Sequence, residues 1–274
     1  MRRGKHRLGG VRLGLALGGG GAKGLSHIAF LKVLDGLGIK PAAISGTSIG
    51  ALIGGLYACG LSGGEIEKIF TDLGLLEMGR MLDISWRARS GLIKGEKLMI
   101  FMRRLVHGRR IEELTIPLKI VATDFWNRVQ VVLDRGDLVE AVRASVSIPG
   151  IFEPVSLGDR ILIDGGVVNP LPYDVIRREC DLLVAVDVSG QKTLPAAAAG
   201  EKPNVFECIL SSFQILEAAV IESKMRLSQP DLVLKPRLQN VRVLEFYRVR
   251  EILEGVQAEA ALLEGFLREK LDLR

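Results

Sequence analysis

The stretch Gly46-Thr47-Ser48-Ile49-Gly50 decides the predicted fold, because an apolar run at 42–44 enters it and another at 51–53 leaves it. This order predicts a nucleophile elbow, a sharp turn from a strand into a helix that exposes a serine hydroxyl. Side chains at positions 46 and 50 would collide with the strand and the helix, so the turn favours glycine there. At a helix N-terminus, the Ser48 hydroxyl would face backbone N–H groups that favour negative charge.

A second glycine-rich turn, Gly18-Gly19-Gly20-Gly21-Ala22-Lys23-Gly24, lies between a strand-like run at 11–17 and a helix-like run at 25–34. Successive glycines bring several N–H groups near one oxygen, which suits an oxyanion or a phosphate. The same turn matches G-x-G-x-x-G, but the acidic residue that a dinucleotide site needs ~20 positions on is missing. No Gly-Lys-Ser/Thr triplet of a Walker loop follows. An oxyanion role is favoured, while dinucleotide binding and a purely structural turn stay open.

The small number of histidines limits which residue can act as the base for a serine nucleophile, since the chain has only His6, His27 and His107. An α/β-hydrolase triad places its histidine after the serine and the acid, and no histidine follows residue 107. His27 is predicted to be a hydrogen-bonded packing residue of the first helix. The other two lie in basic, polar stretches that indicate solvent exposure. The base is therefore expected to be a carboxylate.

Asp164 is the strongest candidate for that carboxylate, because it ends the alternating run 160–163 and precedes Gly165-Gly166. An aspartate at a strand end can point into a cleft, although Asp-Gly also forms simple turns. Asp124 and Asp187 end two other predicted strands and are alternatives. An aspartate at its ordinary pKa of ~3.9 is a poor base at neutral pH, so we expect burial to raise the pKa of Asp164.

Taken in order, the motifs at 19–24, 46–50 and 164–166 resemble the patatin-like phospholipase family. The resemblance runs from about residue 13 to residue 187. It includes the stretch at 144–150, Ala-Ser-Val-Ser-Ile-Pro-Gly, which is similar to the family's approach to the aspartate. Residues 60–116 and those beyond 190 add little to it.

This resemblance implies a serine acyl hydrolase with a Ser-Asp dyad, in which Ser48 attacks an ester carbonyl and Asp164 is the base. It implies that backbone N–H groups of the first glycine turn form the oxyanion hole, and the mechanism needs no cofactor or metal. The implied oxyanion donors are Gly19, Gly20 and Gly21, and the remaining motif glycines are Gly24, Gly46, Gly50, Gly165 and Gly166.

Composition favours one α/β domain over residues 1–274, of which 48% are hydrophobic and 25% charged. Three cysteines without metal or redox spacing indicate free thiols and a cytoplasmic protein. The basic N-terminus before the apolar run 13–17 could suggest a signal peptide, but we expect a solvated arm that leads into the first strand. No uninterrupted apolar run reaches the ~18 residues of a membrane span.

Positive charge concentrates in two stretches, with five Lys/Arg and no acid at 1–12, and nine Lys/Arg against three acids at 77–110. They predict either a solvated face or contact with anionic lipid head groups at the inner face of the membrane. No motif supports nucleic-acid binding. The second stretch is also rich in Met and other apolar residues. It predicts either core packing or a helical cap at 60–116 that covers the Ser48 cleft and receives acyl chains.

The pattern along the chain predicts a three-layer α/β/α fold with a mainly parallel central sheet. A hairpin is expected at Gly158-Asp159 and a surface loop at 195–203. The last helix could pack on the sheet or pair with another subunit. Strands are predicted at 12–17, 42–45, 118–124, 129–134, 153–157, 160–164, 182–187 and 231–235. Helices are predicted at 22–36, 49–59, 63–73, 95–106, 137–146, 172–179, 205–227 and 245–271.

The leading prediction is an esterase acting on the acyl ester of a phospholipid, a lysophospholipid or another lipid. Two alternative functions remain. One is a dinucleotide-binding oxidoreductase, and the other is a lipid-binding or regulatory protein without catalysis.

Overall fold

The computed structural model describes residues 10–73, 94–189, 202, 205–238 and 241–273. The N-terminal basic residues 1–9, part of the predicted cap at 74–93 and most of the predicted loop at 195–203 lie outside the described residues.

Within these ranges, eight strands form one sheet in the order β5-β6-β3-β2-β1-β7-β8, and β4 also pairs with β3. Pairs among β1, β2, β3, β7 and β8 are parallel, whereas β4, β5 and β6 pair antiparallel. The sheet is mainly parallel, as predicted, and β5 and β6 form the expected hairpin. The strands are β1 Leu13–Leu17, β2 Ala43–Thr47, β3 Leu118–Asp124, β4 Val129–Leu133, β5 Val155–Leu157, β6 Arg160–Asp164, β7 Leu182–Val186 and β8 Leu232–Leu234.

Helices flank the sheet and connect its strands. They are α1 His27–Gly36, α2 Ile49–Ala58, α3 Gly63–Asp72, α4 Glu96–Val106, α5 Leu138–Ser145, α6 Val205–Leu227, α7 Val249–Glu254 and α8 Gln257–Lys270. The predicted first helix opens as a 3-10 turn, Gly21–Ser26, before α1 begins.

The two faces of the sheet bury separate apolar clusters, as the alternation along β1 shows. Leu15 and Leu17 pack in a large cluster with α1 and α2, and the intervening Ala16 packs on the opposite face with Tyr173 and with Ile221 of α6. Successive side chains of a strand point to opposite faces, so β1 lies between two layers. The three-layer prediction is confirmed.

The predicted helix at 172–179 is wrong. The segment forms two 3-10 turns, Tyr173–Val175 and Arg177–Glu179. In an α-helix the carbonyl of Val175 would accept from the N–H of Glu179, but that N–H donates to the carbonyl of Ile176. The Val175 carbonyl lies instead 3.5 Å from Nζ of Lys119 on β3.

The predicted last helix at 245–271 is broken into a 3-10 turn, Phe246–Arg248, followed by α7 and α8. The break falls at Gly255, where a Cβ atom would lie 3.1 Å from a Leu238 methyl group. α8 contacts α1, and its Leu263 and Leu267 are fully buried in the large apolar cluster. The last helix therefore packs in the helical layer of its own chain.

Two strands meet end to end along one edge of β3. β2 pairs with the first part of β3 up to Thr47 opposite Val121, and β6 pairs with the next part, with Asp164 opposite Ala122. β4 pairs along β3 through both parts, so β2 and β6 share the other edge. Since β6 runs antiparallel to β3, its end faces the end of β2. The residues that follow or close these two strands are thereby brought together.

The turn after β2 is the predicted strand-to-helix elbow. Ser48 has φ 55° and ψ −122°, a backbone conformation that side-chain-bearing residues seldom adopt. A Cβ on Gly46 would lie 2.6 Å from the carbonyl oxygen of Gly50, and a Cβ on Gly50 would lie 2.1 Å from that of Leu17. Both glycines allow the backbones of β1, β2 and α2 to approach this closely.

Replacing Gly50 should therefore destabilise the whole domain. We expect Gly50→Ala to lower the free energy of unfolding by about 3 kcal/mol, because the new methyl group overlaps the Leu17 carbonyl of a buried strand. Gly55→Ala on the same helix is the matched control. Its Cβ would first meet Leu138 at 3.4 Å, an ordinary contact, and alanine favours helix. Urea unfolding measures both, and equal losses for the two variants would contradict this account of the elbow.

Candidate active site

The two strand ends that meet on β3 carry Ser48 and Asp164. The Ser48 hydroxyl donates a hydrogen bond of 2.7 Å to Oδ2 of Asp164. The other carboxylate oxygen, Oδ1, accepts from the N–H of Gly166 at 2.7 Å. The aspartate is 1% exposed and the serine 6%. The structure thus holds a serine hydroxyl against a buried carboxylate that is fixed at both oxygens.

Burial changes the acid–base behaviour of Asp164. Removal from water raises the pKa of its carboxyl to about 7, while the hydrogen bonds from Ser48 and Gly166 act in the opposite direction. This is the direction that the sequence predicts. The carboxyl is therefore poised to take up and release a proton near neutral pH.

The first glycine turn lies beside Ser48. A Cβ on Gly19 would be 3.4 Å from that of Ser48, and Gly20 and Gly21 line a cavity that also contains Ser48. The prediction of three oxyanion donors needs correction, because the N–H of Gly19 already donates to the carbonyl of Pro170 at 2.9 Å. The N–H groups of Gly20 and Gly21 make no hydrogen bond to any residue that the structure describes.

Comparison with known proteins agrees with this geometry. Residues 15–176 match the family model described as patatin-like phospholipase. The chain belongs to this family. An NTE family protein of Mycobacterium tuberculosis is 39% identical over 195 residues, which are 71% of this chain and 53% of that protein.

Two other matches cover most of this patatin-like chain. Lysophospholipase NTE1 of Kluyveromyces lactis is 31% identical over 291 residues, covering 97% of this chain and 20% of the yeast protein. The crystal structure of VipD from Legionella pneumophila matches with a TM-score of 0.49 and 14% identity, covering 93% of this chain and 67% of that one. This chain spans about half the length of the mycobacterial relative and a fifth of the yeast relative.

The other two candidate acids of this patatin-like chain are engaged elsewhere. Asp124 accepts from the backbone and side-chain N–H groups of Asn127 in the turn after β3. Asp187 accepts from the N–H and hydroxyl of Ser189 and lies 3.1 Å from Nζ of Lys235. Neither contacts the hydroxyl of Ser48, so Asp164 is the candidate base.

Neither histidine that the structure describes contacts Ser48 or Asp164. His27 is fully buried, and its Nε2 is 2.9 Å from the carbonyl oxygen of Gly18. Burial lowers its pKa to about 4, so it is neutral and packs beneath the glycine turn. His107 is exposed at the end of α4, and His6 lies outside the described residues.

Several supporting residues were missed by sequence reasoning. The hydroxyl of Ser145 accepts from the N–H of Ser48 at 2.9 Å and donates to the carbonyl of Val121. The Thr123 hydroxyl donates to the carbonyl of Asp164 at 2.8 Å, and the N–H of Asp164 donates to the carbonyl of Ser147. The stretch at 144–150 gave the one available signal, since it contains two of these serines.

An apolar cavity opens beside Ser48 and contains about 820 Å³ of space, part of it open to solvent. Its walls include Leu98, Phe101 and Met102 of α4, which belong to the predicted cap region. The cap as a whole stays a prediction, because residues 74–93 lie outside the described ranges. Further lining residues are Gly21, Ile49, Leu52, Leu56, Phe70, Leu73, Val146, Ile148, Phe152, Leu244 and Phe246.

The described residues contain neither a cluster of metal ligands nor a helix that could span a membrane. No group of three or more His, Cys, Asp or Glu side chains among them is placed to hold a metal ion. None of the helices described has the length and apolar content needed to cross a membrane.

Proposed function

We propose that this chain is a serine acyl hydrolase that cleaves carboxylic esters of lipids, with Ser48 as nucleophile and Asp164 as base. The observation that carries the proposal is the 2.7 Å hydrogen bond from the Ser48 hydroxyl to a buried carboxylate, beside an apolar cavity. The family match supports hydrolysis over the dinucleotide-binding alternative.

The acylation step uses both the Ser48 hydroxyl and the Asp164 carboxylate. Asp164 accepts the proton of the Ser48 hydroxyl while Oγ attacks the ester carbonyl carbon, and the carbonyl oxygen becomes an oxyanion. When this intermediate collapses, the bond to the alcohol breaks, and the proton held by Asp164 passes to the alcohol oxygen. Water then attacks the acyl-serine and gives a proton to Asp164. On collapse the bond from Oγ to the acyl carbon breaks, the proton passes from Asp164 to Oγ, and the fatty acid leaves.

We assign the oxyanion hole to the N–H groups of Gly20 and Gly21, with the N-terminus of α2 close by. Both glycines line the space around Ser48, and the described residues leave their N–H groups without an acceptor. A single donor of this kind commonly contributes a factor of ~100 to 1000 in rate. Gly19 is left out, because Pro170 occupies its N–H.

The apolar cavity fits the acyl half of the substrate, since its lining offers almost no polar surface. A long fatty acyl chain would replace water there, with a gain of about 0.8 kcal/mol for each buried CH₂ group. Together with a relative named lysophospholipase, this supports phospholipids or lysophospholipids as substrates.

Contact with an anionic membrane surface and a cytoplasmic location stay predictions. Part of the basic charge is neutralised within the chain, since Arg103 pairs with Asp137 at 3.0 Å and Arg110 with Glu112 at 2.9 Å. The lipid-binding alternative without catalysis predicts liposome binding that survives Ser48→Ala and no ester turnover by the wild type.

The proposed dyad predicts that replacing Asp164 lowers catalysis far more than replacing Asp124, which ends a neighbouring strand. Asp164→Asn should lower kcat/KM for a long-chain p-nitrophenyl ester by at least about 1000-fold, because an amide cannot accept the serine proton. Asp124→Asn is the matched control and should stay within about threefold of the wild type, because Asp124 contacts Asn127 in the turn after β3 and lies 3.9 Å from Arg160, but does not contact Ser48. Circular dichroism checks folding. Comparable losses in both variants would rule out Asp164 as the base.

The raised pKa of Asp164 predicts the pH dependence. The ionised carboxylate is the active form, so kcat/KM should rise about tenfold per pH unit below pH 7 and level off above an apparent pKa of about 7. Initial rates with the same ester between pH 5 and 8.5 measure this profile. A rate that is constant from pH 5 upward would mean that a group with an ordinary carboxylate pKa limits the reaction.

A further inference from the structure

A second carboxyl group lies beside the dyad, on Glu217 of α6. Glu217 is only 7% exposed, and within the described ranges no hydrogen bond or ion pair joins its carboxyl to another residue. It packs against Gly166, where a Cβ atom would lie 2.1 Å from its Oε1 and 3.1 Å from Oδ1 of Asp164. Its oxygens are not among the fully buried polar atoms that lack a partner, so the remaining exposure of Glu217 falls on the carboxyl group, which is open to a ligand.

This carboxyl lines a second cavity that contains about 360 Å³ of space, part of it open to solvent. The glycine turn, Ser48 and Asp164 line it, and α6 contributes the polar Gln214 and Glu217 together with two apolar residues, Leu210 and Phe213. Ser48 also lines the larger apolar cavity. The serine therefore stands between an apolar space and a smaller space that contains a carboxyl and an amide.

The surroundings of Glu217 favour the neutral form of its carboxyl. Burial, together with the negative charges of Asp164 and Asp187, raises its pKa to about 8. A neutral carboxyl has one O–H donor and a carbonyl acceptor, so it can exchange two hydrogen bonds with an alcohol group.

We propose that the second cavity receives the alcohol half of the ester and that Glu217 hydrogen-bonds a free hydroxyl group of that alcohol. The inference rests on the proposed function. Once the acyl chain occupies the apolar cavity, the alcohol on the other side of the scissile carbonyl extends into the remaining space around Ser48. The favoured substrates are monoacyl esters of glycerol-type polyols that keep a free hydroxyl group. A site built to bind a hydroxyl discriminates against an analogue that lacks it.

Two esters with the same acyl chain test this inference, 1-palmitoylglycerol and propyl palmitate, which has no free hydroxyl. Both are presented in detergent micelles to the full chain, and kcat/KM is measured for each. We expect Glu217→Met to lower the preference for the glycerol ester, that is, the ratio of its kcat/KM to that of the propyl ester, about tenfold. Glu217→Gln keeps a donor and an acceptor and should retain most of the preference.

The matched control is Glu222→Met, which changes an exposed glutamate on the same helix that pairs with Arg226. It should leave the preference unchanged. Should Glu217→Met fail to fold by circular dichroism, Glu217→Ala tests the same ratio. An equal loss for both esters, or an unchanged preference in a folded variant, would overturn the role of Glu217 alone. A wild type that hydrolyses neither ester nor a p-nitrophenyl ester would contradict the proposed function itself.

Discussion

The meeting of β2 and β6 on one edge of β3 is the constraint on which the rest of the site depends. Ser48 and Asp164 are 116 residues apart in the chain, yet the pairing of Thr47 with Val121 and of Asp164 with Ala122 makes them neighbours. The dyad is therefore held by backbone ladders of the central sheet, which are more rigid than loops. The glycine at each strand end lets the chain turn away without moving its functional side chain.

Burial of the Asp164 carboxyl links this geometry to chemistry and to stability. Its pKa is raised from 3.8 to about 7, so it stabilises the fold most below pH 4, and that contribution is lost as the pH rises through 7. At alkaline pH this raised pKa lowers the free energy of unfolding by roughly 4 kcal/mol, compared with an aspartate of ordinary pKa. The same dry surroundings strengthen hydrogen bonds to a developing oxyanion. The ionised carboxyl that the proposed base requires therefore costs the fold some stability.

The sequence predicted the features that depend on local patterns of residues. The apolar runs and paired glycines around Ser48 and Asp164 predicted the strands, the elbow and the two residues that the structure joins by a hydrogen bond. Contacts between distant segments explain what it missed. The segment 172–179 forms 3-10 turns, and its Val175 carbonyl lies near Lys119 of β3. The N–H of Gly19, a predicted oxyanion donor, donates instead to the carbonyl of Pro170. Glu217 lies on a separate helix, and nothing in its local sequence distinguishes it from a surface glutamate.

Covalent labelling with a fluorophosphonate probe, followed by peptide mass mapping, tests the central claim most directly, because only an activated serine reacts. We expect a single phosphonylated peptide that carries the adduct on Ser48. The adduct should be absent from Ser48→Ala, and labelling of the wild type should slow as the pH falls below 7. A folded wild type that stays unlabelled, or an adduct on Ser145 in place of Ser48, would contradict the account.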